Sequence, residues 1–266
     1  MSEDRMDRLR KMRQQRPEAA QGPKLAVKPY LQAVTLDPRA PVDVNQYPYN
    51  IPAIRELGQL AFHPDITFLV GENGAGKSTL LEGIALALGF SREGGTRNFN
   101  LSTAQSESPL HEVLKLAQGF RKPADGYFLR AESFYNVATY MDTIGYLDGY
   151  GGKSLHARSH GEAFMTLLTH KFRGHGLYLL DEPEAALSPS RQLAALRLIR
   201  DLIADASQFI IATHSPILLA YPGARILLCD GSGITEVAYE DTEHYAITRD
   251  FLNHYPRRLE QLFKDE

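Results

Sequence analysis

The segment Gly71–Thr79 has the residue types and the spacing of a phosphate-binding loop. It fits the pattern G-x-x-x-x-G-K-[ST], in which glycines let successive backbone N–H groups turn towards a phosphate. Lys77 is expected to reach the β- and γ-phosphates of a nucleoside triphosphate, and the Ser78 hydroxyl is expected to ligate Mg²⁺. The predicted nucleotide-binding residues of this loop are Gly71, Glu72, Asn73, Gly74, Ala75, Gly76, Lys77, Ser78 and Thr79.

The residues on either side of the loop are those that the motif needs. An apolar run over 66–70 predicts a buried strand before the loop, and a second apolar run over 80–88 predicts a helix after it. The N-terminus of that helix would add unpaired N–H donors and the positive end of the helix dipole. This context favours a nucleoside triphosphate-binding site over a glycine-rich turn that happens to contain a lysine.

Two carboxylates follow another apolar run. Residues 177–180 read Leu-Tyr-Leu-Leu and predict a buried strand that delivers Asp181 and Glu182 to its carboxyl end, which is where open α/β sheets bind ligands. We expect Asp181 to hold Mg²⁺, directly or through water, and Glu182 to orient and polarise the attacking water. The alternative is a buried strand that ends on acidic residues by coincidence, and the upstream phosphate-binding loop disfavours it.

Composition limits the classes of protein to consider. The chain has 266 residues, of which 43% are hydrophobic, and this suits one large α/β domain or one domain with a small subdomain. The net charge of −3 provides no overall basic field for nucleic acid. The single cysteine favours a reducing compartment, and no apolar stretch reaches the roughly 18 residues of a membrane span. We therefore expect a cytoplasmic protein without membrane insertion.

Strands and helices alternate along the second half of the chain, which predicts a mainly parallel sheet with helices on both faces. The predicted parallel strands are 66–70, 177–181, 208–213 and 225–230. A strand over 30–36, a short strand over 127–129 and a hairpin over 226–239 complete the prediction. The expected fold class is α/β, that of a P-loop nucleotide-binding protein, with antiparallel strands near the N-terminus.

Other segments have the periodicity of helices. Apolar residues recur at helical spacing at Leu110, Val113, Leu114 and Ala117, and again at Val137, Met141 and Ile144. These two helices predict a small helical subdomain within residues 91–172. A longer helix after Ser188 is expected to turn inward its apolar residues Leu193, Leu196, Ile199 and Ile203. Two helices, over 243–252 and 257–263, are predicted at the end of the chain.

The residues around the two carboxylates resemble a known family. Residues 181–188 read Asp-Glu-Pro-Glu-Ala-Ala-Leu-Ser, which is similar to the Walker B and D-loop segment of ABC-type ATPases, with Ser188 in place of the usual aspartate. His214 follows Glu182 by 32 positions and resembles the switch histidine that contacts the γ-phosphate in that family. The resemblance implies a catalytic set of Glu182, His214 and Lys77.

A second segment, 159–164, reads Ser-His-Gly-Glu-Ala-Phe and resembles the ABC signature Leu-Ser-Gly-Gly-Gln/Glu. It departs from that signature in the residues on either side of its serine, which are arginine and histidine. In the family, this segment covers the γ-phosphate bound to the opposite subunit. The resemblance therefore implies that Ser159, Gly161 and Glu162 contact ATP across a head-to-head homodimer. A second interpretation stays open, in which Ser159 only caps the helix over 162–172.

Three further residues are candidates from their positions in the family pattern. Glu132 lies where ABC proteins carry the glutamine of the Q-loop, and this chain has no glutamine there. Tyr47 and Tyr49 precede Lys77 by 30 and 28 positions, about where the family places the aromatic residue that stacks on adenine. Tyr47 is the candidate for adenine stacking, and the alternative is that these tyrosines anchor a loop by packing.

Within this superfamily the chain is most similar to the small stand-alone bacterial ATPases of the AAA family. Those share the head of ABC and structural-maintenance-of-chromosomes (SMC) proteins but lack a coiled coil and a transporter domain. The resemblance covers about residues 25–240. The implied organisation is a disordered or frayed tail over 1–23, an ATPase domain over 24–240 that includes the helical and signature subdomain within 91–172, and C-terminal helices over 241–266.

The resemblance implies Mg²⁺-dependent hydrolysis of ATP to ADP and phosphate, coupled to formation of the homodimer. Two other functions stay open. One is the ATPase subunit of an ABC transporter, which needs a membrane partner and is disfavoured because the Q-loop glutamine is missing. The other is a binding module whose ATP-driven dimerisation recruits a protein or a nucleic acid. The basic residues within 1–16 are the only support in the sequence for a nucleic-acid partner.

Overall fold

Two β-sheets and the helices around them make up the part of the chain that the computed structural model describes, which is residues 27–97, 109–131, 139 and 159–264. Its strands are β1 (Leu31–Leu36), β2 (Leu60–Ala61), β3 (Ile66–Val70), β4 (Leu114–Gln118), β5 (Asp125–Arg130), β6 (Gly176–Asp181), β7 (Gln208–Ala212), β8 (Arg225–Asp230) and β9 (Gly233–Glu236). Its α-helices are α1 (Pro52–Arg55), α2 (Lys77–Ala87), α3 (Leu110–Val113), α4 (His160–Thr166), α5 (Pro189–Ala204), α6 (Pro216–Leu219) and α7 (Glu243–Leu262).

The larger sheet has the strand order β5-β6-β7-β3-β8-β9. The strands from β5 to β8 in that order run parallel, and β9 returns antiparallel to β8 through the predicted hairpin. Every residue of β3, β6 and β7 is buried, as expected for a parallel sheet covered on both faces. The predicted α/β fold with a mainly parallel sheet is confirmed. Strands β3, β6, β7 and β8 begin and end within one residue of their predicted bounds, whereas β5 begins two residues earlier than predicted and β9 ends at Glu236, before the predicted end at 239.

Helices cover both faces of this sheet. Because side chains alternate along a strand, Leu69, Leu179 and Ile210 lie on the face covered by α2 and the smaller sheet. Phe68 and Ile211 lie on the opposite face, which packs against α4 and α5. Helix α2 is therefore buried along most of its length, and this explains why its sequence is apolar nearly all round.

The smaller sheet is antiparallel and has the strand order β2-β1-β4. Its strand β4 corrects the sequence analysis, in which Leu114 and Ala117 continued the helix of Leu110 and Val113. The helix ends at Val113, and Leu114 is extended, with φ −80° and ψ 133°. Leu114 pairs with Leu36 of β1. The edge of β1 offers a ladder of backbone hydrogen bonds, so tertiary pairing overrides the helical periodicity of this segment.

Helix α5 turns three of its four predicted residues towards the core: Ile199 is buried, and Leu196 and Ile203 pack against the core. Leu193 is 61% exposed, so the prediction that it faces the core is wrong. The buried positions are Gln192, Ala195 and Ile199. Gln192 is buried because its Oε1 accepts a hydrogen bond from the Ser215 hydroxyl at 2.5 Å. The inward face of α5 therefore includes Gln192, and Leu193 lies outside it.

The two predicted C-terminal helices form one element, α7, with a break inside it. His254 has non-helical angles of φ −131° and ψ 22°, and Pro256 follows two residues later. Proline lacks an N–H donor and its ring clashes with the carbonyl four residues earlier, so the helix bends close to the predicted break. Neither α7 nor any other described helix is long and apolar enough to cross a bilayer.

Some predictions concern residues that the structure does not describe. These are the tail over 1–23, Glu132, and the helix through Val137, Met141 and Ile144. The predicted subdomain within 91–172 is therefore described only in part.

The buried side chain of Gln208, at the start of β7, links the larger sheet to the start of β1 in the smaller sheet. Its Oε1 accepts hydrogen bonds from the backbone N–H groups of Tyr30 (2.8 Å) and Leu31 (2.9 Å). Its Nε2 donates to the carbonyl oxygens of Leu31 (2.9 Å) and His63 (3.0 Å). All four hydrogen-bonding positions of the amide are used, and the residue has no solvent exposure.

We predict that Gln208→Leu lowers the free energy of unfolding by about 3–6 kcal/mol, because it leaves buried backbone groups unpaired at nearly constant side-chain volume. Chemical denaturation measures the change. Gln59→Leu is the control, since Gln59 is exposed and lies outside both sheets. If Gln208→Leu lowered the free energy of unfolding by less than about 1 kcal/mol, the hydrogen bonds of Gln208 would not be what holds the two sheets together.

Candidate functional site

The phosphate-binding loop lies between the end of β3 and the start of α2, and its glycines are needed for its shape. Gly71 and Gly76 have φ values of 140° and 97°, which side chains rarely adopt. A Cβ atom on Gly71 would overlap the carbonyl oxygen of Cys229, and one on Gly76 would lie 2.7 Å from Cγ2 of Ile51. Any larger residue at either position would push the loop away from β8 or from α1.

Lys77 is the first residue of α2 and is only 4% exposed. Its ammonium group donates to the carbonyl oxygens of Gly71 (2.8 Å) and Glu72 (2.9 Å), so it is held within the curve of the loop. Burial lowers the pKa of Lys77, and the nearby carboxylates, that of Glu182 first, partly oppose this effect. The cation therefore lies at the inner edge of the loop with its hydrogen-bonding partners on the backbone.

Ser78 and Asp181 meet although they are 103 positions apart in the sequence. The Ser78 hydroxyl donates to Asp181 Oδ1 at 2.9 Å, and Asp181 is 5% exposed at the end of β6. Among the described residues there is no cluster of three or more histidine, cysteine or acidic side chains placed to hold a metal. One hydroxyl and one carboxylate nevertheless fit Mg²⁺, which takes oxygen ligands and usually keeps waters or substrate phosphates in its other positions.

Glu182 follows Asp181 in a strained backbone conformation. Its φ of 49° and ψ of 52° are left-handed, which costs a non-glycine residue about 1–2 kcal/mol. Its backbone N–H donates to the carbonyl of Ala212 on β7 at 2.9 Å, which holds the turn in place. The turn separates the two carboxylates: Asp181 contacts Ser78, whereas the Glu182 side chain is 42% exposed and lies beside His214.

His214 lies at the carboxyl end of β7, opposite Glu182. Its Nε2 is 3.5 Å from Glu182 Oε1, and its backbone N–H donates to Glu184 Oε1 at 2.5 Å. Burial lowers the pKa of His214, the charge of Lys77 lowers it further, and Glu182 opposes both. The structure thus brings Lys77, Ser78, Asp181, Glu182 and His214 to one edge of the sheet. Their roles in catalysis stay predictions.

Two residues of this site were not singled out by the sequence. Glu184 holds the backbone of His214, and burial raises the pKa of its carboxyl group. His244, in the first turn of α7, places its Nε2 2.9 Å from Nδ1 of His214. Glu184 could have been suspected from its place beside the two predicted acids. No local pattern points to His244, because only packing of α7 brings it to His214.

The signature segment forms a helix cap. Ser159 Oγ accepts from the backbone N–H of Glu162 at 3.4 Å, and Glu162 Oε2 accepts from the backbone N–H of Ser159 at 2.9 Å. This reciprocal pair is a capping box, and the helix begins at position 160, earlier than predicted. Arg191 of α5 donates to Ser159 Oγ at 3.3 Å. A side chain at Gly161 would also lie 2.7 Å from the carbonyl of Ala186.

The two tyrosines have different environments. Tyr49 is 8% exposed and packs in the core beneath α2, so it anchors its loop. Tyr47 is 63% exposed, and its hydroxyl lies 3.2 Å from Thr79 Oγ1. Tyr47 therefore lies at the rim of the phosphate-binding loop and remains the candidate for adenine stacking.

Several known proteins are similar to this chain. Over 210 residues it is 29% identical to the hemin import ATP-binding protein HmuV of Deinococcus radiodurans, a match that covers 70% of this chain and 80% of that protein. The SMC head domain from Thermotoga maritima matches 79% of this chain and 100% of its own length, at 16% identity and a TM-score of 0.42. An ATP-binding cassette of an ABC transporter matches 86% of this chain and 99% of its own length, at 13% identity and a TM-score of 0.46.

Two family models match the segments that carry the motifs. The model described as "AAA domain" matches residues 49–124, which include the phosphate-binding loop. The model described as "AAA domain, putative AbiEii toxin, Type IV TA system" matches residues 159–220, which run from the signature segment through His214. These matches agree with the resemblance drawn from the motifs. Over the segments that carry its motifs, the chain is therefore similar to AAA domains and to an ATP-binding protein of the ABC type.

Proposed function

We propose that this protein is an Mg²⁺-dependent ATPase that hydrolyses ATP to ADP and phosphate. The observation that carries the proposal is the 2.9 Å contact between the Ser78 hydroxyl and Asp181. It joins the end of the phosphate-binding loop to the end of β6, at the edge where Glu182 and His214 also lie. This arrangement supports the proposal that Ser78, Asp181, Glu182 and His214 would act together on one γ-phosphate.

The loop and the start of α2 would bind the phosphates. Backbone N–H groups of residues 71–79 and the positive end of the α2 dipole favour anionic ligands. Lys77 would exchange its two carbonyl contacts for oxygens of the β- and γ-phosphates. Ser78 and Asp181 would hold Mg²⁺, which neutralises charge on the phosphate oxygens when it is bound.

Glu182 and His214 would act on the other side of the γ-phosphate. The partly exposed carboxylate of Glu182 accepts a hydrogen bond from the attacking water and polarises it. His214 would donate a hydrogen bond from Nε2 to a γ-phosphate oxygen, a contact that forms with ATP and is lost when the γ-phosphate leaves. Tyr47, at the rim of the loop, would stack on the adenine.

We further propose that ATP is enclosed between two copies of the chain in a head-to-head dimer. Lys77, Ser78 and Asp181 would surround the phosphates from one side only. Ser159, Gly161 and Glu162 of a second copy would cover the other side, as the signature segment does in ABC-type ATPases. The Glu162 side chain is 54% exposed, which is compatible with a contact from outside. The Ser159 hydroxyl that caps α4 is the group that would contact the γ-phosphate of the other copy.

A second candidate function is that of the ATPase subunit of an ABC transporter. The observation that favours it is the 29% identity to a protein named for hemin import. A transporter subunit would sediment with membranes of its own cells and would leave them in detergent together with a membrane-spanning partner. An ATPase found entirely in the supernatant would speak against this function.

Substitution of Lys77 tests nucleotide binding. We predict that Lys77→Met lowers ATP affinity by about 10–100-fold, because charge-assisted hydrogen bonds to the phosphates are lost. Methionine keeps the buried aliphatic stem, so the fold should survive. Equilibrium titration with ATP measures the effect, and Lys122→Met, at an exposed position, is the control. An unchanged affinity in a folded Lys77→Met protein would remove the phosphate role of Lys77.

Substitution of Glu182 tests both ATP hydrolysis and formation of the ATP-dependent dimer. We predict that Glu182→Gln binds ATP normally but releases phosphate about 10²–10⁴-fold more slowly, since an amide cannot act as a base. The variant should accumulate as a dimer with Mg·ATP because the γ-phosphate stays in place. Phosphate release and light scattering measure the two effects, and Glu236→Gln on β9 is the control. Hydrolysis at the wild-type rate would refute the role of Glu182, and a monomer at saturating ATP would refute the enclosed dimer.

Substitution of Ser159 distinguishes its role as a helix cap from its proposed contact with the γ-phosphate. Aspartate is as good an N-cap as serine, so Ser159→Asp should retain the stability of α4 while it sets a negative charge against the γ-phosphate of the other copy. In the Glu182→Gln background we predict that Ser159→Asp abolishes the ATP-dependent dimer without lowering the melting temperature. Ser159→Thr, which keeps the hydroxyl, is the matched control. A dimer that withstands Ser159→Asp would leave Ser159 only a capping role.

A further inference from the structure

We propose that His244 is a positioning residue that fixes the tautomer and the ring orientation of His214. The inference rests on the proposed ATPase function, in which His214 donates from Nε2 to the γ-phosphate. The observation is a ring-to-ring hydrogen bond of 2.9 Å between Nε2 of His244 and Nδ1 of His214. His244 belongs to α7, an element that none of the sequence motifs includes.

The surroundings of His214 determine where its proton lies. A neutral imidazole carries one N–H, and the other nitrogen accepts a hydrogen bond. Nε2 of His214 lies 3.5 Å from the Glu182 carboxylate. A lone pair on that nitrogen would repel the carboxylate oxygens, whereas an N–H there is attracted to them. The Nε2–H tautomer is therefore favoured, and Nδ1 must accept a hydrogen bond from its other neighbour.

That neighbour is His244, which must then donate from its own Nε2. Burial lowers the pKa of both histidines, and the charge of Lys77 lowers both further. The carboxylates that face the pair act in the opposite direction: Glu182 beside His214, and Glu243 and Glu184 near His244. Because burial has the largest effect, both rings are neutral at and above neutral pH. One N–H, that of His244 Nε2, then lies between the two facing nitrogens.

The backbone around His244 holds its ring in place. Thr242, the N-cap of α7, is 1% exposed; its hydroxyl accepts from the backbone N–H of Tyr245 at 3.4 Å and donates to the carbonyl of Tyr239 at 2.7 Å. The Tyr239 hydroxyl in turn donates to the carbonyl of Pro216 at 2.8 Å, two residues after His214. The turn before α7 and the segment after β7 are thus joined directly, which keeps the two rings at a constant separation.

The consequence concerns the donor that His214 presents to ATP. Without a donor at Nδ1, the Nδ1–H tautomer becomes accessible, and the ring can also rotate. In either case Nε2 no longer offers a fixed N–H to the γ-phosphate. ATP binding depends mainly on the loop and Lys77, so His244 should affect the chemical step and leave nucleotide affinity nearly unchanged.

Two substitutions test this. His244→Phe keeps an aromatic ring but has no donor, and His244→Gln places an amide N–H close to the position of the lost Nε2–H. We expect His244→Phe to lower kcat for phosphate release about tenfold, the effect of one hydrogen bond, with KM for ATP changed less than about twofold. His244→Gln should recover most of the rate. His254→Phe, an exposed histidine of the same helix, is the control and should behave as wild type.

A spectroscopic measurement on the intact protein without ATP gives a second readout. Nitrogen-15 spectra of the imidazole rings distinguish Nδ1–H from Nε2–H. We expect His214 to be the Nε2–H tautomer in the wild type and in His244→Gln, and a mixture of both tautomers in His244→Phe. The tautomer is reported whether or not the protein hydrolyses ATP.

The outcomes separate this inference from the proposed function. A wild-type protein that does not hydrolyse ATP would refute the function, while the tautomer shift would still decide the role of His244. A wild-type rate and an unchanged His214 tautomer in His244→Phe would overturn the inference. Equal losses in His244→Phe and His244→Gln would also overturn it, because an N–H donor at this position would then not restore the rate.

Discussion

The parallel hydrogen bonding of β3 on both of its edges is the constraint on which the site depends. Leu69 of β3 pairs with Ala212 of β7 and with Leu227 of β8, and Ala212 pairs in turn with Asp181 of β6. These registers place the ends of β3, β6 and β7 at one level. The phosphate-binding loop, the turn that carries Glu182 (the acidic turn) and the segment after β7 that carries His214 (the histidine segment) therefore begin at the same edge of the sheet. A slip of one residue between two strands would send Asp181 to the opposite face of the sheet.

The site also depends on how its buried charges are paired. Lys77 is 4% exposed and donates to two carbonyl groups of the phosphate-binding loop, and Asp181 is 5% exposed and accepts from Ser78 of α2. Glu82, within α2, is bound on two sides, by Arg130 at 2.6 Å and by Arg92 at 3.2 Å. A buried charge without a partner is costly. These pairs therefore tie α2 to the ends of β5 and β6 and keep Ser78 and Asp181 in fixed positions.

The histidine segment is held from two directions. Glu184 accepts from the backbone of His214, and His244 bonds its ring. The first contact comes from the turn that also carries Glu182, and the second comes from the C-terminal helix. The position of His214 therefore depends on the acidic turn and on α7 at the same time. Burial of these groups strengthens each hydrogen bond, because the local dielectric constant is low.

The amino-acid sequence by itself determined the phosphate-binding loop, the buried strands and the acidic end of β6, since each depends on a contiguous run of residues. Strand β4 was not predictable, because helical spacing at Leu114 yields to pairing with β1. The burial of Gln192, with Leu193 facing outward, was not predictable either, because Gln192 is hydrogen-bonded to the segment after β7. The contact of His214 with His244 depends on the packing of α7 against the end of the sheet. Only the tertiary structure decided these features, because their hydrogen-bond partners are distant in sequence and local periodicity does not specify which distant groups meet.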